Sequence, residues 1–455
     1  MIVFAYQSWN DHFNYYTPNT HPSDWIIDGV KTVPLTHGGQ YFTWESMKYD
    51  YSLIDKLSVD ELIDMGVAVV KSTYLDSLPD FVSHKLLKDI PLGEKYIYPV
   101  PVSQVRYFIQ NRNHGFKFVD PRVIDDVKNG LAKIVIMFPY EGHSGMAHGV
   151  QVNESALIVD EWAKAAGFSK DHVYFIHGNL LADEFNSQVT NYTSMSVDAF
   201  TMWVPKSYLL ESEETNAISP RGVPLFSPQD EKCLYLCYNR TIREHRYISL
   251  SYLADRNLIN KGLVSCGSKL WSNVTEFYLR SHGLDSMLHT APYLESITPI
   301  LLEMDLVVNN PAIDINVEHY ERTFISLISE THWEEGTLFR SEKIWKTLAV
   351  GHPFMVISSP GFLKSLKKRG FKTFNRWIDE SYDSEPNWIK RSAMIVDEIK
   401  RLEGLGIDRL KQIREEMHDT LAHNMKLYRE IFKQDFAYNG SRPLFDKVKE
   451  VWGSF

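Results

Sequence analysis

The chain has 455 residues, 44% apolar and 23% charged, with a formal net charge of −10. That length exceeds one ordinary hydrophobic core and favours two domains, while the acidic balance argues against a protein that mainly coats nucleic acid. Three cysteines exclude a disulfide-dense scaffold, and no apolar run is long enough to span a bilayer.

The N-terminus, MIVFAYQSWND, has no basic stretch followed by an apolar core and cleavage site, so it reads as a first strand of a cytoplasmic protein (host cytoplasm if the source is viral). Further short apolar runs lie at 66–73, 132–140 and 172–179, each bounded by turn formers and each suited to a strand buried on both faces. Between them, 58–66 and 153–167 carry helical patterns, capped by Ser or Asn at the start and ended by Gly. Strands alternating with helices imply a parallel α/β sheet. The stretch 209–232 is acidic, then rich in Pro, Ser and Gly, and reads as a linker.

After it the alternation resumes. Strands are expected at 233–239, 262–267, 305–310, 323–331 and 353–359, with helices at 243–258 and from Ser341 to Val350. Near the C-terminus, 407–432 places Leu410, Ile413, Met417, Leu421 and Met425 at the spacing of an amphipathic helix. The expected organisation is one α/β domain over 1–225, a second over 226–420, and a helical segment over 421–455 packing back on the first. In such folds ligands bind beyond the C-terminal ends of the strands.

Several chemistries find no motif. A phosphate loop, the G-x-G-x-x-G dinucleotide fingerprint, zinc-type Cys/His spacing, an Asp-x-Asp pair and a serine nucleophile elbow are all absent. No metal site or bound cofactor is therefore expected. The informative stretch is TLFRSEKIWKTLAVGHPFMVI, in which Ser341, Glu342 and Lys343 open a helix after a buried strand. A helix N-terminus presents unpaired N–H groups and partial positive charge, which suits phosphate. Lys343 would add full charge toward a diphosphate, and Glu342 could accept hydrogen bonds from a ribose diol. The same three residues also fit a plain N-cap, a dipole-complementing acid and a solvated lysine.

This stretch resembles the donor-nucleotide motif of the alpha-1,3-fucosyltransferases, in which Thr/Ser-Glu-Lys opens a helix that ends in Gly-x-Pro before a strand. More broadly, Phe324 to Asp383 resembles exostosin-like and viral or bacterial glycosyltransferases of the GT-B class, and 236–265 is similar to a segment in that group. The resemblance implies two Rossmann-like domains facing a cleft, acceptor-binding over 1–225 and nucleotide-sugar-binding over 226–420, closed by a C-terminal helical segment. It implies that Lys343 and Arg240 meet the diphosphate of a UDP- or GDP-type sugar donor and that Glu342 holds ribose. Asn239 and Ser341 would line the pocket. Arg243 and Arg246, one helical turn apart, would add charge there or serve as surface ion-pairing groups.

A metal-independent transfer needs cations and helix dipoles to hold the leaving diphosphate. An inverting transfer also needs a general base. Glu141, just past a strand in a Gly-rich loop, is the first candidate, followed by His143 and Asp11. Lys364, Lys367, Lys368 and Arg369 form a basic cluster that is either a solvated helix face or a phosphate or acceptor patch. The expected activity is hexosyl or pentosyl transfer to a hydroxyl of a glycan or glycolipid. The alternatives are a phage-type enzyme acting on hydroxymethylated cytosine in DNA, and a non-catalytic nucleotide- or sugar-binding protein.

Overall fold

The computed structural model describes residues 2–6, 26–27, 30–34, 41–43, 69–70, 82–87, 90–101, 119, 121–138, 154–181, 186, 189–202, 210–212, 217–218, 222–239, 243–302, 315–436 and 442–455. The chain forms two compact units, one of Met1–Ala199 with Asp435–Phe455, the other of Phe200–Gln434. Both are α/β. The sequence reading puts its divisions at 225/226 and 420/421.

The first unit is built on six parallel strands: β1 (Ile2–Tyr6), β2 (Val82–Leu86), β3 (Tyr96–Pro101), β4 (Ala132–Phe138), β5 (Val173–His177) and β6 (Thr193–Ser196). Their order is β6-β5-β4-β3-β1-β2. Alternate residues of β4 feed opposite faces, as the strand period of two requires. Ile134 and Ile136 join a cluster with Val123, Val127, Ile158 and Trp162, which come from helices Pro121–Lys128 and Glu154–Ala165. Val135 and Met137 join a second cluster with Leu444, Phe445, Val448 and Val451, from helix Arg442–Gly453. The continuous apolar run that marks this strand in the sequence is thus explained by helices on both faces.

Two strands depart from the sequence reading. YIYPVP forms the central β3 although Pro99 and Pro101 lack an N–H for a ladder. The register shows why this is tolerated: β3 meets β1 through Phe4 and Ile97 alone, while its other side pairs along its length with β4. Within 66–73, the described residues Val69–Val70 pair antiparallel with Tyr41–Thr43 in a separate small sheet.

The second unit carries four parallel strands, β7 (Tyr235–Cys237), β8 (Leu263–Val264), β9 (Ile325–Ser329) and β10 (Phe354–Ile357), ordered β8-β7-β9-β10. The chain places β8 on one side of β7 and β9 on the other, so the winding reverses between β7 and β9. The helices that matter for the site are α1 (Glu244–Asp255), which follows β7, and α2 (Glu342–Val350), between β9 and β10. After β10 come α3 (Phe362–Lys368) and α4 (Trp388–Glu403).

The expected helix at 407–432 is two, Ile407–Glu416 and His418–Phe436, and its five apolar positions are all buried. Within the stretch read as a linker, Leu210–Ser212 pairs antiparallel with Ala217–Ile218, and its later part packs on this unit: Ser227 N–H donates to Glu321 O at 2.8 Å, and the Phe226 ring meets Phe324 at 5.8 Å.

Candidate functional site

The reversal between β7 and β9 opens a crevice-forming position at their C-terminal ends, and the chemistry of the second unit gathers there. β7 runs into Asn239, Arg243 and the first turn of α1. β9 runs into Glu330 and the loop that ends at Ser341, where α2 begins. Side chains of α1 and of the residue before it hold three consecutive carbonyls at the end of β9. Arg246 Nη2 donates to Ser329 O at 3.1 Å, His245 Nε2 to Glu330 O at 3.0 Å, and Arg243 Nη1 to Thr331 O at 2.9 Å.

Glu330 closes the loop from the other side. Its carboxylate accepts from its neighbour's amide, Thr331 N, at 3.2 Å, and from Ser341 N at 3.3 Å. It is fully buried, and that burial pushes its carboxyl up, against the opposing pull of Lys343 and the Ser341 hydrogen bonds. Glu342 goes the other way. Burial raises it, but Lys343 beside it, with further help from its own backbone and Lys346, holds it below the usual carboxylate range.

Ser341 caps α2 as the sequence suggests. Its hydroxyl accepts from Lys343 N at 3.4 Å, and Lys343 Nζ reaches both Ser341 Oγ (3.1 Å) and Glu342 Oε1 (2.8 Å). The residue before α1, Arg243, provides no side-chain cap. Burial, followed by the charge of Arg243, draws the Arg246 guanidinium down to about 10, which leaves it charged at neutral pH.

Behind these groups, His245 stacks on Trp333 with ring centroids 4.1 Å apart. Its imidazole is pushed far down by burial and then by Arg246 and Arg243, so it is neutral. Donation from Nε2 to a carbonyl then leaves Nδ1 as an acceptor. Arg391 on α4 ties the surroundings together. It donates to Trp333 O at 2.6 Å, Ser358 O at 2.7 Å, Pro386 O at 3.2 Å and to Glu385 O.

This edge also collects several of the buried polar atoms left unpaired among the described residues. Buried polar atoms are nearly always paired in folded proteins. Here Asn239 Oδ1, His245 Nδ1, Ser329 Oγ, Thr337 Oγ1 and Ser359 Oγ are buried without a hydrogen-bond partner among the described residues. They sit on the ends of β7, β9 and β10, on α1's first turn and in the 330–341 loop. Asn239 is held in place from its other side, with Nδ2 donating to Cys237 Sγ at 3.2 Å. Burial pushes that thiol up to about 12, so it stays protonated.

Of the residues singled out in the sequence, Arg243, Arg246, Ser341, Glu342 and Lys343 share this network, while Asn239 lies at the end of β7, bonded to Ser265 and Cys237. Lys364, Lys367, Lys368 and Arg369 do not: they lie on or just after α3. Lys364 and Lys368 are exposed, Lys367 pairs with Glu380 at 3.1 Å, and Arg369 lies 5.0 Å over the Trp345 ring. Asp11, Glu141, His143 and Arg240 lie outside the described residues. Among the described residues, no three His, Cys, Asp or Glu groups are arranged to hold a metal ion. Sequence reasoning misses Glu330, His245, Trp333 and Arg391. Only Glu330 carries a signal there, as an acid directly after the five-residue strand ISLIS.

No protein-family model matches the chain, and no curated protein does. Among solved structures it is similar to a point mutant of S. aureus TarM in complex with fondaparinux, alpha-GlcNAc-glycerol and UDP. The identity is 11% and the TM-score 0.31, over 76% of this chain and 55% of that one. It is also similar to a glycosyltransferase from Rickettsia africae ESF-5, at 12% identity and a TM-score of 0.32, over 79% of this chain and 91% of that one. The chain thus spans little more than half the length of the first. A likeness at these scores carries no functional weight.

Proposed function

We propose that the chain is a glycosyltransferase of the GT-B class that takes a sugar from a nucleotide-diphosphate donor, without a metal ion, and passes it to an acceptor hydroxyl. The observation that carries this reading is the strand-end edge of the second unit. It combines two part-exposed cations, Arg243 and Lys343, the N-terminus of α1, and several buried polar atoms without partners among the described residues. A diphosphate calls for the first two, and the hydroxyls and amide groups of a nucleoside would use the third. Lys343 and Arg243, both part-exposed, would meet the phosphates. Glu342, held ionised, would accept from the ribose diol. Arg246 is only 4% exposed and would act through the strand end it holds. The acceptor of this reading is a glycan or glycolipid. The exposed Lys364 and Lys368 favour a second acceptor class, hydroxymethylated DNA.

The test is a thermal-shift screen against UDP, GDP, CDP and ADP. One nucleotide should stabilise the protein, by about 2.7 kcal/mol at a hundredfold excess over Kd. Lys343→Ala should weaken that nucleotide about 10- to 150-fold, the worth of one charge-assisted contact. Silence across the panel would refute the donor reading. Binding without donor turnover would leave a non-catalytic nucleotide-binding protein. Nucleoside mass spectrometry after incubation with donor and hydroxymethylated DNA separates the acceptor classes.

A further inference from the structure

The helix Ser272–Ser281 lies alongside α1 and antiparallel to it, because Tyr247 meets Tyr278 at 5.1 Å while Glu244 meets His282. This brings His282 to the same strand-end edge as the network above. His282 Nε2 lies 2.6 Å from Glu244 Oε1, and the two side chains are 25% and 21% exposed. In the neutral ring, Nε2–H donating to the carboxylate leaves the lone pair on the second nitrogen, Nδ1. Glu244 lies between Arg243 and His245, which hold Thr331 O and Glu330 O.

Aromatic rings complete the surround. His282 meets Trp388 edge-on at 5.0 Å, Trp388 meets Trp333 at 6.2 Å, and Trp333 covers His245.

We propose that His282, oriented by Glu244, is the proton acceptor of the transfer reaction. This rests on the donor-site reading above. The acceptor hydroxyl oxygen forms a bond to the anomeric carbon as its proton passes to His282 Nδ1. The bond from that carbon to the diphosphate oxygen breaks, and its electron pair leaves on the diphosphate. One direct displacement of this kind inverts the anomeric centre. Glu244 is a positioning residue: it keeps the ring oriented and steadies the imidazolium that forms.

The experiment compares wild type, His282→Ala, His282→Gln and Glu244→Gln in nucleotide affinity by calorimetry and in donor turnover with acceptor present. Both His282 variants should bind nucleotide within about twofold of wild type and lose turnover at least ~100-fold. Added imidazole should partly restore His282→Ala, which a purely structural role would not allow. Glu244→Gln should lose turnover about 10- to 100-fold without weakening nucleotide binding. Near-normal turnover in His282→Gln, or retention of configuration in the product, overturns the proposal. Wild type that binds no nucleoside diphosphate refutes the donor reading first, and this assignment with it.

Discussion

Gly351 ends α2 and is the position where a single methyl group has the most readable cost. Its backbone is left-handed, at φ 75° and ψ 46°, and its N–H bonds back to Thr347 O and Leu348 O. His352 N–H also returns to Thr347 O, so the helix stops in a tight C-terminal turn. A Cβ on Gly351 would lie 2.2 Å from Met425 Sδ and 2.7 Å from its Cγ. Gly351→Ala therefore meets two penalties. The left-handed backbone costs an L-residue about 1–2 kcal/mol. Forcing Met425 aside in a packed core costs about 1–3 kcal/mol more, for a total of roughly 2–5 kcal/mol. Met425→Ala alone should cost about 2–5 kcal/mol through the cavity it leaves. The double variant should cost about 1–3 kcal/mol less than the sum, because the truncated Met425 no longer opposes the new methyl. Urea unfolding followed by tryptophan fluorescence and circular dichroism gives all three values. Strict additivity, or Gly351→Ala within about 0.5 kcal/mol of wild type, would refute the reasoning.

Arg391→Lys should lower stability by about 2–4 kcal/mol, because an ammonium cannot replace a guanidinium that donates to four carbonyls; denaturant unfolding checks it. Glu330 and Glu342 should leave opposite marks on the pH dependence of stability. Glu330 titrates above its unfolded value, so its contribution is full below the usual carboxylate range and is lost as pH rises through the folded value. Glu342 titrates below its unfolded value, so its contribution is present above that range and is lost as pH falls through the folded value. Unfolding curves from about pH 3 to 7 should therefore show the first slope missing in Glu330→Gln and the second missing in Glu342→Gln. Replacing Lys364 and Lys368 together by Ala should change stability by less than about 0.5 kcal/mol, while weakening any binding to duplex DNA measured by anisotropy.

The helix start at Ser341 is legible in the sequence because capping is local: a hydroxyl, an acid behind it and a glycine at the far end all lie on one short stretch. β4 and β5 are legible because strands buried on both faces leave largely apolar runs. β3 is not, since its prolines argue against a central strand and only the register reveals how few bonds they forfeit. The two-residue strand at Val69 shows the converse, for an apolar pattern so short carries no information on strand direction. Arg391 is invisible for a different reason. Its four carbonyl partners come from residues 333, 358, 385 and 386, and no spacing along the chain announces such a convergence.

On sequence alone the start of α2 is the natural seat for phosphate, and the hydrogen bonding shifts that weight to α1. At α2 the first groups are already engaged: Glu330 accepts from Ser341 N, the Ser341 hydroxyl accepts from Lys343 N, and Glu342 sets a negative charge against the dipole. At α1 the residue before the helix offers no side-chain cap, and the acid of its first turn, Glu244, is directed to His282. An anion therefore meets fewer competing acceptors at α1, beside the part-exposed Arg243. On the proposed reading, the two helices divide the donor between them. The N-terminus of α1, uncapped among the described residues, takes the diphosphate with Arg243, Lys343 reaches it from α2, and the carboxylate of Glu342 is left to the sugar hydroxyls it is ionised to receive.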